Sequence, residues 1–141
     1  MKKENANIKG FLRGQIVDAD SGKVVGDSGW VENIVCNYGL TALAAFAANV
    51  AGSVQPMAAC LASQTAAMSG AQSSLQGSGN AYATLTAAGA SKGTSGTGLA
   101  SYTCSFAGSA GAISVGAAGL FTTNATGGLW AGQTFATSAM A

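Results

Sequence analysis

The sequence predicts a mainly β protein, an antiparallel β-sandwich or barrel with one short α-helix at about residues 40–50. Short segments with apolar or alternating polarity recur along the chain, and Gly, Ser, Asn and Asp clusters separate them. Glycine is abundant, at 21 residues, whereas proline occurs once. Only one segment has apolar residues at helical spacing, so the helical content is expected to be small.

A β-hairpin and a third strand are the first elements predicted. Residues 11–18 alternate in polarity and predict a strand, and residues 23–25 predict its partner. The cluster Asp18-Ala19-Asp20-Ser21-Gly22 between them predicts the turn, because Asp and Ser side chains bond nearby backbone groups and glycine accepts a positive φ. Residues 30–36 predict the third strand.

The helix and the remaining strands follow in order. Residues 40–50 predict the helix, with Thr41 or Asn37 as its N-cap and Gly52 and Ser53 as its end. Five further strands are predicted, at residues 56–62, 80–87, 99–106, 112–115 and 129–136. Residues 63–79 predict a Ser/Gln/Ala/Gly loop with little to bury, either a surface loop or an ordered contact with a neighbour. Residues 89–98 predict a second, glycine-rich loop.

The length of 141 residues suits one domain. Residues 1–9 are polar and predict a flexible or docking arm, which leaves residues 10–141 as a single β-rich domain. The apolar run at residues 40–51 is too short to span a bilayer, so no membrane partner is expected.

Charged side chains are scarce and uneven. They make up 8% of the chain, against about 25% in a typical globular protein. After Glu32 the only one is Lys92. So little surface charge favours self-association, and we expect a homo-oligomer or a larger assembly to cover much of the surface.

The net charge is +1 without a Lys/Arg cluster, so no nucleic-acid partner is expected.

The residues that carry chemistry do not form a catalytic, cofactor-binding or metal site. The chain has no His, and Cys36, Cys60 and Cys104 are widely spaced, which favours buried thiols over a zinc site. The carboxylates of Asp18, Asp20 and Asp27 are interpreted as turn residues rather than calcium ligands.

Two weaker patterns have a structural and a functional interpretation. Residues 93–98, GTSGTG, are similar to a phosphate loop but lack its Gly-Lys-Ser/Thr ending and a following helix. The aromatic residues would suit a sugar-binding surface, although aromatic residues in strands more often belong to the core; they are Trp30, Tyr38, Tyr82, Tyr102 and Trp130.

Two stretches carry a resemblance to a known group. Residues 14–25, GQIVDADSGKVV, and residues 30–40, WVENIVCNYGL, are followed late in the chain by residues 102–106, YTCSF, and by residues 113–121 and 129–135. In this order they resemble a loosely defined group of small virion proteins of tailed phages. The group often opens with a hairpin on a "D-x-x-S/T-G-K-V-V" turn, and a strand ending in "N-x-x-x-N-x-G-L" then leads into a short helix. Gly116 and Ala117 stand where the group usually has an acidic residue.

The resemblance implies a structural, non-enzymatic protein of the virion, assembled in the cytoplasm of the bacterial host. The first expectation is a capsid decoration or cement protein that binds the outer capsid as a homo-oligomer, with the major capsid protein or other virion proteins as partners. The alternative is a tail-fibre or tail-tip adhesin that recognises the host surface through residues 63–79 and 89–98. A secreted bacterial surface or filament subunit is the third hypothesis.

Overall fold

The protein is described by a computed structural model over residues 8–50, 56–77, 81–84, 91–94, 100–106, 115–122 and 128–135. These residues form ten strands and one helix: β1 (Gly10–Leu12), β2 (Gln15–Val17), β3 (Val24–Asp27), β4 (Val31–Val35), α1 (Asn37–Ala47), β5 (Ala58–Ala62), β6 (Ala81–Thr84), β7 (Ser91–Thr94), β8 (Ala100–Thr103), β9 (Ala117–Phe121) and β10 (Leu129–Thr134). The prediction of a mainly β, antiparallel fold with one short helix is confirmed.

Six of these strands form one sheet in the order β1-β4-β10-β9-β5-β6, and every neighbouring pair is antiparallel. The late strands β9 and β10 therefore lie between β4 and β5. Two separate ribbons, β2–β3 and β7–β8, complete the described strands. The six-stranded sheet is open rather than closed into a barrel, so β1 and β6 are its two edges.

The core lies on one face of this sheet. Ala58, Cys60 and Ala62 of β5 are buried on the same face as Ala117 and Phe121, their partners in β9. Two residues of the connection after β5, Met68 and Leu75, cover this face. The largest fully buried side chains are only Phe121, Leu129, Cys36 and Cys60. The core is thin, because alanine supplies many of its positions and buries little area.

Tertiary bonds place the start of α1 earlier than predicted. The helix begins at Asn37, not at Leu40, because the backbone N–H of Cys36 donates to Trp130 O (2.8 Å) and that of Asn37 donates to Gly70 O (2.7 Å). Cys36 is the N-cap and makes no side-chain cap bond. The prediction of a Thr41 or Asn37 cap is therefore wrong: the Thr41 hydroxyl lies within the helix and donates to Asn37 O.

The residue that terminates the helix, just after its C-cap Ala48, is an asparagine rather than the predicted glycine. Asn49 adopts a positive φ of 53°, and the N–H groups of Asn49 and Val50 donate to Phe46 O and Ala45 O at 3.1 and 2.9 Å. These two bonds form a Schellman motif, in which asparagine replaces the usual glycine. Gly52 and Ser53, the predicted end, lie outside the described residues.

The strand predicted at residues 11–18 is two strands in different sheets. β1 pairs with β4, whereas β2 pairs with β3. The strand is interrupted at Gly14, whose N–H donates to Ser28 Oγ (2.8 Å) and whose carbonyl accepts from Ser28 N (3.0 Å).

The prediction of a loop at residues 89–98 is wrong in part, because residues 91–94 form β7. Residues 112–114 of the predicted short strand lie outside the described residues.

Candidate interaction surface

The ribbon β2–β3 is held at its base by an ion pair. Arg13 Nε donates to Asp27 Oδ1 (3.0 Å), Gln15 Nε2 donates to Asp27 Oδ2 (3.0 Å), and Gly29 N donates to Asp27 Oδ1 (2.8 Å). Hydrogen bonds from Arg13, Gln15 and Gly29 hold the pKa of Asp27 well below its ordinary value. The Asp27 bond raises the pKa of Arg13. Asp27 is the last residue of β3, so its assignment to a turn is wrong.

The tip of the same ribbon is the predicted turn. Asp18 Oδ1 accepts bonds from Ser21 N (2.7 Å) and Ser21 Oγ (2.6 Å), and Gly22 has a φ of 67°. The bond from the Ser21 hydroxyl lowers the pKa of Asp18. The turn prediction is confirmed, and it follows that Asp18 organises the hairpin.

Several apolar side chains of this region face solvent. We call them the N-terminal apolar set: Ile8, Phe11, Val17, Val24, Val25 and Trp30. Val17 and Val24 are direct cross-strand partners, so their side chains form an apolar pair on the outside of the ribbon. Trp30 is 69% exposed, and the Arg13 guanidinium lies 6.0 Å from its ring centroid. These exposed side chains contribute little to the core and are available to a partner.

The helix exposes a second group of apolar side chains. We call it the helix set: Tyr38, Leu40 and Phe46 of α1, with Val50 and Met57 beyond the end of the helix. Only Gly39 and Ala42 of α1 are buried, and no residue of the helix is charged. Asn37 and Thr41 are the polar exposed residues of this helix, and the cores of protein interfaces are likewise depleted of charge and enriched in aromatic side chains. The outer side of α1 therefore has the composition of a covered surface.

The connection after β5 is ordered by buried amides. Gln64 is buried; its Nε2 donates to Ala66 O (2.9 Å), and its Oε1 accepts from Gln72 Nε2 (2.7 Å) and Gln76 N (2.7 Å). Met68 and Leu75 are buried beneath it. The prediction that residues 63–79 have little to bury is therefore wrong for the described residues 63–77. No periodicity marks these buried residues, so the sequence pattern could not identify them.

The Met68 side chain of this connection packs closely against Gly132 of the sheet. A Cβ on Gly132 of β10 would lie 2.9 Å from Met68 Cε and 2.9 Å from Ala118 O. The site therefore accepts only glycine while Met68 stays in place. The exposed side chains of the connection are uncharged, and most are small: Thr65, Ala66, Ala67, Ser69, Ala71, Ser73 and Gln76.

The five aromatic residues do not share one environment. Trp130 is buried, as the core interpretation expects, and Tyr102 is half-buried. Trp30 and Tyr38 are exposed, so the core interpretation is wrong for them. Nothing is described of the Tyr82 side chain. The sequence predicts Trp30 as the first residue of the third strand, whereas in the structure it directly precedes β4 and is 69% exposed.

The cysteines and the glycine-rich segment have structural positions. Cys36 and Cys60 are buried as thiols, and Cys104 is partly exposed. Burial raises the pKa of the Cys36 and Cys104 thiols, which lowers the fraction of reactive thiolate. In the described part of the chain no three His, Cys, Asp or Glu residues cluster as metal ligands would. Gly93 and Thr94 lie in β7, and residues 95–98 lie outside the described residues.

Among the described helical residues, none form a helix long and apolar enough to cross a membrane. No family of known proteins, no curated protein and no solved structure matches this chain. The candidate interaction surface consists of the two exposed apolar sets and of the ordered connection at residues 63–77, which follows both sets in the sequence.

Proposed function

We propose that this chain is a structural component of a tailed-phage virion, a capsid decoration or cement protein that binds the outer capsid as a homo-oligomer. The observation that carries the proposal is the exposure of large apolar side chains at both the N-terminal apolar set and the helix set, in a chain with one charge after Glu32. Such a surface is stable in solution only when partners cover it.

The resemblance to small virion proteins adds support. It implies a hairpin on the turn after Asp18 and a strand that leads directly into a short helix. Both elements occur here, as the ribbon β2–β3 and the step from β4 to α1. In this proposal the N-terminal apolar set contacts the capsid, and the nearly uncharged remainder contacts sister subunits. Many weak contacts repeated by symmetry then give stable attachment.

Capsids stripped of their accessory proteins test the proposal. The purified chain is expected to sediment with such capsids and to saturate at a copy number set by capsid symmetry. Trp30→Ala is expected to weaken binding by about tenfold or more, because exposed tryptophans become anchors at interfaces. Phe46→Ala removes an aromatic ring from the helix set, which in this proposal contacts sister subunits, and is expected to weaken self-association. A wild-type chain that stays in the supernatant at every concentration would contradict the proposal.

A tail-fibre or tail-tip adhesin is the second candidate. The ordered connection at residues 63–77 favours it, because the bonds of Gln64 hold an exposed loop in one conformation, and a preorganised loop binds with a smaller entropic cost. Binding of the chain to host cells, together with failure to bind capsids, would favour this candidate over the first.

A further inference from the structure

The two edges of the six-stranded sheet differ in the features that prevent strand pairing. An edge strand presents unpaired backbone N–H and C=O groups, and natural proteins protect such edges with charges, proline, bulges or short length. β1 has three residues and β6 has four, so both are short. Among the described strands, β1 pairs only with β4 and β6 pairs only with β5. The remaining protective features distinguish them.

The β1 edge is flanked by charge on both sides. Lys9 directly precedes Gly10–Leu12 and pairs with Glu32 at 3.4 Å, while Arg13 directly follows it and pairs with Asp27. Suppose a second copy added its β1 antiparallel and centred on Phe11. Lys9 of each copy would then stand opposite Arg13 of the other, and like charges directly opposite are destabilising. The β1 edge therefore disfavours its own copy.

The β6 edge is not protected by charge, proline or a bulge in its own described strand. No Asp, Glu, Lys or Arg occurs between Glu32 and Lys92, and the only proline of the chain, Pro56, precedes the neighbouring strand. Residues 81–84, AYAT, pair with β5 in regular register without a bulge. Two copies of this strand meet without any opposed charges, and antiparallel pairing about a two-fold axis uses the same backbone groups on both sides.

We propose that β6 is a self-association edge, at which a second copy of this chain pairs antiparallel and continues the sheet across a two-fold axis. This inference names the homo-oligomer contact of the proposed function, but it requires no capsid. The pairing would place the β1 edges, with their charged flanks and the N-terminal apolar set, at the two outer ends of the extended sheet. A dimer built in this way leaves both copies of that set open to a larger partner.

A matched pair of lysine substitutions tests the edge. Thr84→Lys places one positive charge on each of the two paired four-residue strands and is expected to weaken dimerisation at least tenfold in sedimentation equilibrium at low salt. Ala19→Lys adds the same charge at the exposed tip of the ribbon β2–β3 and is expected to leave dimerisation unchanged. Far-UV circular dichroism establishes that each variant is folded. A folded Thr84→Lys protein that dimerises like wild type would overturn the inference.

Cross-linking decides the question even if the lysine variant does not fold. In a Cys104→Ser background, Tyr82→Cys and Ala83→Cys are expected to give a covalent dimer with a short bis-maleimide, and Phe11→Cys in β1 is expected to give none. Equal cross-linking from β1 and β6, or none from β6, would overturn the inference. Capsid binding is scored separately. A β6 dimer that does not bind capsids contradicts only the proposed function, and an oligomer that binds capsids without a β6 contact contradicts only this inference.

Discussion

The N-terminal quarter and the rest of the chain are stabilised in different ways. Residues 8–35 contain both ion pairs that the described residues form, Lys9–Glu32 and Arg13–Asp27, and their turn is fixed by polar bonds to Asp18. From Cys36 onward the described structure depends on a small apolar core and on the amide bonds of Gln64.

This difference shows what each region leaves for a partner. Hydrogen bonds and ion pairs hold the ribbon β2–β3 together. The side chains of Val17 and Val24 on the ribbon, and of Trp30 after it, therefore stay exposed and do not form a core. In the second region apolar residues do fold the sheet, yet α1 keeps most of its apolar surface exposed. Each region thus has exposed apolar side chains that do not contribute to its core. Charged side chains lie near the exposed apolar residues of the first region, and none occurs in α1.

The largest expected effect concerns the core of the second region. Phe121→Ala removes a fully buried ring between β5 and β10 and is expected to lower the free energy of unfolding by about 3–5 kcal/mol. Phe46→Ala, at an exposed ring, is expected to change it by about 0.5 kcal/mol or less. Urea denaturation measures both. Similar losses in the two variants would show that the core is not where the structure places it.

The next effect concerns the ordered connection. Gln64→Ala removes the acceptor of the Gln76 N–H and of one of the two bonds that Gln72 Nε2 donates, and each such loss costs about 1–3 kcal/mol. The second Gln72 bond, to Ser74 O, remains. Hydrogen exchange of the amides in residues 63–77 is expected to accelerate at the same time. Gln76→Ala is the matched control, because only the backbone N–H of Gln76 takes part in the network. If both variants exchange alike, Gln64 does not order the connection.

The smallest effect concerns the N-terminal ion pair, and it depends on pH. The pKa of Asp27 in the folded state lies below the ordinary value of 3.8, so the unfolded chain binds the proton first. The contribution of Asp27 to stability is therefore present above that ordinary value and is lost as the pH falls below it, toward the folded pKa. Unfolding curves of Asp27→Asn are expected to depend less on pH in this acid range than those of wild type.

Arg13→Gln supplies the partner control for this prediction. Because the side-chain bond with Arg13 is the largest cause of the lowered pKa of Asp27, this variant is expected to flatten the acid dependence in the same direction. High salt is expected to weaken the wild-type dependence, since the pair is partly exposed and therefore screened. An unchanged acid slope in both variants would mean that the ion pair does not stabilise the ribbon.

Elements with local causes were predictable from the sequence. The ribbon turn follows from the chemistry of Asp18, Ser21 and Gly22 within five residues, and β5 and β10 follow from short apolar segments between turn residues. The existence of the helix was also predictable, although Asn37, its first residue, was not. The start of α1 depends on bonds to Trp130 and Gly70, which are distant in the sequence.

The interaction surface depended more on tertiary structure. Gln64 is buried where its carbonyl lies against Gly116, a residue distant in the sequence, and Trp30 is exposed because no described element covers it. The Arg13–Asp27 pair joins residues fourteen positions apart on either side of a hairpin. The scarcity of charge after Glu32 indicates a covered surface from composition alone, and this stays a prediction.

The central claim is that partners cover the apolar area that this chain leaves exposed. Sedimentation equilibrium of the purified wild-type chain over a wide concentration range tests it most directly. The account predicts a mean mass that rises with concentration from 13.6 kDa toward a multiple of it, with the far-UV spectrum of a folded β protein throughout. A folded chain that remains at 13.6 kDa up to hundreds of micromolar would contradict it.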